Sequence, residues 1–134
     1  MSRPGTPALP GGKLEYAVLV ALWEAGPLSP RAIHERVGDP LGLVYTTTAK
    51  VLDRLAAKGL VSKAPAGKTF IYTAVAERPA TDRARVLHAL GELFGVGARP
   101  AVATLVDAMT AIDPALLDEL ARVVQARRRS RREP

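Results

Sequence analysis

The chain has 134 residues, 48% of them hydrophobic but only six aromatic, and a net charge of +6. That length allows one ordinary domain, or a small domain with an accessory element, and a core drawn from Leu, Val and Ala suits helices better than a large β-sandwich. The absence of cysteine excludes disulfide scaffolds, cysteine-based zinc sites and thiol catalysis, and no apolar run approaches the roughly 20 residues that span a bilayer.

Residues 1–12 are rich in Pro and Gly and read as a flexible arm. They lack the apolar run of a signal peptide, so the expected compartment is the cytoplasm, with no membrane partner. Leu14, Val18, Ala21 and Leu22 recur at helical spacing and predict a first helix over Lys13–Ala25, stopped by Gly26 and Pro27. Ser29 is a good N-cap and Pro30 a good first residue for a short second helix, Pro30–Val37, whose buried edge is Ile33 and Val37. Gly38, Asp39, Pro40 and Gly42 then predict a non-helical turn.

A third helix is predicted over Val44–Lys58, ended by Gly59. At about 100° per residue, Val44, Thr48, Val51, Leu52 and Leu55 form an apolar back, while Thr46, Thr47, Lys50 and Arg54 form the opposite front. Next, Leu60–Lys63 and Lys68–Thr73 flank Ala64-Pro65-Ala66-Gly67, which predicts a β-hairpin with Lys63 and Lys68 near its tip. Three helices and a basic hairpin give a winged helix-turn-helix over residues 13–75. Three more helices are predicted, opened by Pro79, Pro100 and Asp113-Pro114, with Gly95 and Gly97 as breaks. The expected fold class is therefore mainly α with a small β-hairpin: a winged helix-turn-helix domain followed by a three-helix domain over residues 76–126. Those three helices are too few to bury a good core alone, so a second copy is the expected partner, through Leu105, Val106, Met109, Leu116, Leu117, Leu120, Val123 and Val124; the alternative is that they fold back onto the N-terminal domain.

Charge is unevenly distributed. Residues 1–75 carry nine basic against five acidic side chains, residues 76–126 five against seven, and residues 127–134 five against one. The final stretch reads as a basic, disordered tail, with an auxiliary DNA arm as the alternative. A basic N-terminal module suits a polyanion. A helix fits the major groove of B-DNA, about 12 Å wide, where Lys50 and Arg54 can meet phosphates or guanine edges and Thr46 and Thr47 can meet phosphates or thymine methyls. Lys68 and Thr69 on the hairpin and Arg31 at the start of the second helix are placed for backbone contacts. No nucleophile–base pair, metal-ligand spacing or phosphate loop stands out, so neither an enzyme nor a cofactor is expected. His34 and His88 read as surface or helix-packing residues. A winged-helix protein–protein module is the alternative, and the cations on the third helix argue against it.

The run Leu14-Glu15-Tyr16-Ala17-Val18-Leu19, ending at Leu22-Trp23, resembles the first helix of the penicillinase-repressor family, the BlaI/MecI type that includes the copper repressor CopY. Ile33-His34-Glu35-Arg36-Val37, Val44-Tyr45-Thr46-Thr47-Thr48, Val51-Leu52-Asp53-Arg54-Leu55 and Lys58-Gly59-Leu60-Val61 look like that family's next segments, in order and spacing, and Phe70-Ile71-Tyr72 is similar to its second wing strand. The resemblance implies a bacterial homodimeric repressor on a palindromic double-stranded operator with TACA/TGTA half-sites. It also adds Tyr45 to the candidate DNA contacts. In the antibiotic-resistance branch a membrane sensor triggers proteolysis at an Asn-Phe bond; here the equivalent segment is Val106-Asp107-Ala108-Met109 and holds no such bond. The copper branch uses a cysteine cluster, which this chain lacks.

Overall fold

The computed structural model describes residues 9–95 and 98–132. Expectations for residues 1–8 of the arm, for Gly97 as a helix break and for Glu133 and Pro134 lie outside the described residues. The chain divides into two compact units, residues 1–87 and 88–134.

In the first unit, α1 (Gly12–Ala25) is followed by α2 (Pro30–Ile33). The Ser29 hydroxyl caps α2 by accepting from the Ala32 amide at 3.2 Å. The chain then continues through a π-helical turn, His34–Gly38, and a 3₁₀ turn, Asp39–Leu41. Of the connection expected to be non-helical, Gly38 ends the wide π turn and Asp39 and Pro40 lie in the tighter 3₁₀ turn, while Gly42 caps it. A Cβ on Gly38 would lie 2.3 Å from His34 Nδ1 and 2.6 Å from Thr48 Oγ1, so only glycine lets these groups approach here. Helix α3 (Tyr45–Ala57) ends where Gly59 was expected to stop it. The Gly59 and Leu60 amides donate to the Ala56 and Leu55 carbonyls, both at 3.0 Å, which closes a Schellman end.

The hairpin pairs β1 (Val61–Ala66) antiparallel with β2 (Thr69–Ala74). Its turn is tighter than the sequence suggests: Pro65 lies within β1, opposite Phe70, and only Gly67 and Lys68 remain in the loop. Gly67 has φ +62° and Lys68 does not have positive φ, the signs of a II′ turn, which matches the twist of paired strands. Leu28 and Tyr72 exchange backbone hydrogen bonds of 2.8 and 3.0 Å, tying the hairpin to the segment before α2.

Val18, Leu19, Leu22, Ile33, Val51, Leu52 and Leu55 build the core, closed by Leu60, Val61 and Tyr72. Burial of each such side chain contributes about 1.5–3 kcal/mol. Val44, expected on the apolar back of α3, is instead its exposed N-cap. The end of the N-terminal arm is also packed rather than free: Pro10 is buried and Lys58 Nζ donates to the Leu9 carbonyl at 3.3 Å.

Helix α4 runs Arg78–Phe94, and the unit boundary falls inside it, after Leu87, later than the expected division at residue 76. The reason is a clasp onto α1. Tyr16 Oη donates to Asp82 Oδ1 at 2.7 Å, Arg85 lies 3.5 Å from the Tyr16 ring centre, and Trp23 Nε1 donates to the Ala76 carbonyl at 2.8 Å.

The second unit holds the end of α4, then α5 (Ala98–Ile112) and α6 (Ala115–Arg132). Asp113 Oδ1 accepts from the Ala115 amide at 3.0 Å and starts α6, as its position before Pro114 predicts. Helix α6 runs on through Arg132, so the segment from Arg127 is helical where a disordered tail was expected. Arginine is a good helix former, and cations complement the C-terminal end of the helix dipole.

Candidate nucleic-acid interface

Helix α3 separates two faces. Its back is sealed into the core by Val51, Leu52 and Leu55 together with Thr48, which is 2% exposed. Its front leaves Tyr45, Thr46, Lys50 and Arg54 exposed and Thr47 half-buried. Among the described residues neither Lys50 nor Arg54 forms an ion pair, so both cations are available to an external anion.

His34 holds this helix to the turn before it. In the neutral ring, Nδ1 accepts from the Thr48 hydroxyl at 2.7 Å and Nε2–H donates to Asp39 at 3.0 Å. The same ring packs edge-on against Tyr45, with centroids 5.5 Å apart and planes at 74°. Tyr45 is thereby oriented at the first turn of α3, and Arg31, exposed on α2, shares a shallow cleft with Tyr45, His34, Glu35 and Asp39. His34 is therefore the packing residue that the sequence suggests.

On the hairpin, Lys68 occupies the turn and Thr69 the first position of β2, both exposed. Lys63 is not near the tip. It pairs with Tyr72, and its ammonium lies 4.8 Å from the Phe70 ring centre. Tyr72 is buried, midway along β2. Desolvation raises its phenol pKa above the ordinary 10.0, with the negative charges of Asp53 and of ionised Tyr45 adding to the shift.

Sequence reasoning missed one supporting pair. Glu15 is 3% exposed, and both its carboxylate oxygens accept from Lys58 Nζ, at 2.9 and 3.2 Å. The signal was present, since Glu15 shares the α1 face of Val18, Leu19 and Leu22, and a carboxylate on an apolar stripe demands a cation. Lys58 fixes the C-terminal end of α3 against α1 through this bond. The described residues contain no group of three or more His, Asp or Glu placed to hold a metal ion. No described helix is long and apolar enough to cross a membrane.

Among solved structures, a complex of hsRosR-S4 matches with a TM-score of 0.50 and 23% identity over 76% of this chain and 91% of that one. This likeness supports the fold. The PcaV transcriptional regulator from Streptomyces coelicolor, solved with its natural ligand, is 25% identical over 92% of this chain and 80% of that one, at a TM-score of 0.46. The transcriptional regulator Tm0710 from Thermotoga maritima is 13% identical over the same shares, at a TM-score of 0.47. Comparison with curated protein sequences gave no match. The sequence model of the penicillinase repressor family matches residues 11–126, which takes in the winged helix, α4, α5 and most of α6. The chain belongs to the penicillinase repressor family, whose members are DNA-binding transcriptional regulators and not enzymes.

Proposed function

We propose that the protein is a cytoplasmic bacterial repressor that binds a palindromic operator as a homodimer and reads it with α3. The observation that carries this reading is the exposed cationic front of α3, Lys50 and Arg54, which form no ion pair among the described residues, backed by a buried face that seats the helix in the core. Thr46, Thr47, Lys50 and Arg54 meet base edges and phosphates in the major groove, Tyr45 and Arg31 contact the adjoining backbone, and Lys68 and Thr69 extend the contact from the hairpin. Lys63, midway along the hairpin, supplies charge at longer range.

The homodimer is supported by what the second unit lacks. No described side chain of α5 or α6 is buried, although Val102, Ile112, Leu117, Val123 and Val124 are large and exposed. Leu105, Val106, Met109, Leu116 and Leu120 are only half-buried. Apolar surface of this extent is covered most economically by its own copy, and a two-fold dimer sets two α3 helices into successive major grooves.

The test is equilibrium binding to a duplex taken from upstream of the protein's own gene, against unrelated DNA of equal length. Preference by a factor of roughly 10³ or more supports the repressor. Equal, weak binding that vanishes with salt contradicts it.

A further inference from the structure

We propose that the last turns of α6 form a second DNA-binding surface, one that grips phosphates without regard to sequence. The inference rests on the DNA-binding reading above but concerns residues outside the family match, which ends at residue 126.

At about 100° per residue, Leu116, Leu120, Val123, Arg127 and Arg131 share an arc of about 80° on α6. The face is apolar up to Val124 and becomes cationic from Arg127. Val123, Val124, Arg127, Arg128 and Arg131 line one shallow groove where the two characters meet. All five arginines between Arg127 and Arg132 are exposed. Among the described residues none of them forms an ion pair, whereas Arg122 on the same helix is paired with Glu119.

Arg127 and Arg131 are one helical turn apart, as are Arg128 and Arg132, and like charges at that spacing repel. A polyanion therefore both binds this segment and relieves its repulsion. Guanidinium forks match phosphate oxygens in geometry as well as charge. A lipid surface fits less well, because Arg127–Arg132 contains no apolar residue to enter it. Duplex DNA is the polyanion this protein meets when it acts.

The experiment compares the full-length wild type with Arg127→Gln/Arg128→Gln/Arg131→Gln and with the corresponding triple Lys variant. Each is titrated at several salt concentrations against a 60-base-pair duplex, on the order of six helical turns, from upstream of its own gene. If the three cations neutralise phosphates, the slope of log affinity against log salt falls by about 2.7 per engaged chain in the Gln variant and is kept by the Lys variant. Preference for that duplex over unrelated DNA is unchanged. An unaltered slope in the Gln variant overturns the proposal. Failure of the repressor reading looks different: the wild type itself shows no preference between the duplexes.

Discussion

Replacing Lys58 with Met should unfold the reading head disproportionately for a half-exposed lysine. Glu15, on α1, has 4% of its side chain exposed, and Lys58, at 35%, is its only cation among the described residues. Without that partner the carboxylate stays buried with no compensating charge. Breaking a buried pair in this way costs about 3–5 kcal/mol, and the water that reaches Lys58 places this case at the lower end, about 3 kcal/mol. For a unit of this size that lowers Tm by roughly 12 °C or more. The lost bond to the Leu9 carbonyl adds to the effect. Trp23 is the only tryptophan and sits in the same unit, so its fluorescence in denaturant at fixed protein concentration reports the loss. The control is Glu15→Leu/Lys58→Met, which removes both charges and should recover most of the stability. A Lys58→Met protein within about 0.5 kcal/mol of wild type, or a double variant no better than the sum of the singles, refutes the reasoning.

Gly38→Ala forces a Cβ against His34 and Thr48, which should cost about 1–3 kcal/mol and weaken DNA binding by displacing α3; wild-type stability in denaturant contradicts this. Leu120→Asp places a carboxylate on the half-buried stripe of α6 and should give a monomer with reduced operator affinity, whereas a dimer by light scattering contradicts the interface. For Tyr72, a raised phenol pKa means that the neutral form is favoured in the folded state. Its contribution is complete below the ordinary value of 10.0 and is lost as pH rises through the folded value. Stability at alkaline pH should therefore fall more steeply in the wild type than in Tyr72→Phe, and parallel curves contradict that.

Much of this fold could be read from local chemistry. Ser29-Pro30, Gly59 and Asp113-Pro114 act where capping rules place them, and the back of α3 from Thr48 to Leu55 is buried as its periodicity predicts. The misses are places where distant groups override local preference. Gly38 and Pro40 read as helix breakers, yet Gly38 ends a π turn packed between His34 and Thr48, and Pro40 sits in the first turn of a 3₁₀ segment, where its missing amide costs nothing. Pro65 reads as a turn residue, but Gly67 supplies the positive φ and leaves Pro65 in a strand of a two-stranded hairpin, where its missing amide is tolerated. Arg127–Arg132 reads as a solvated end from its charge and its terminal position, whereas a helix already running from Ala115 propagates without a new nucleus. The front of α3 was legible from spacing, but the His34 brace and the Glu15–Lys58 pair that hold it join residues far apart in the chain.

In the proposed reading, α3 contacts the operator through Lys50 and Arg54. Its most direct test is equilibrium binding of Lys50→Ala and Arg54→Ala to the upstream duplex, with thermal unfolding to verify that both proteins fold. A residue that contacts a base should lose about 1–3 kcal/mol of binding on truncation, together with reduced preference over unrelated DNA. Wild-type affinity in both folded variants would contradict it.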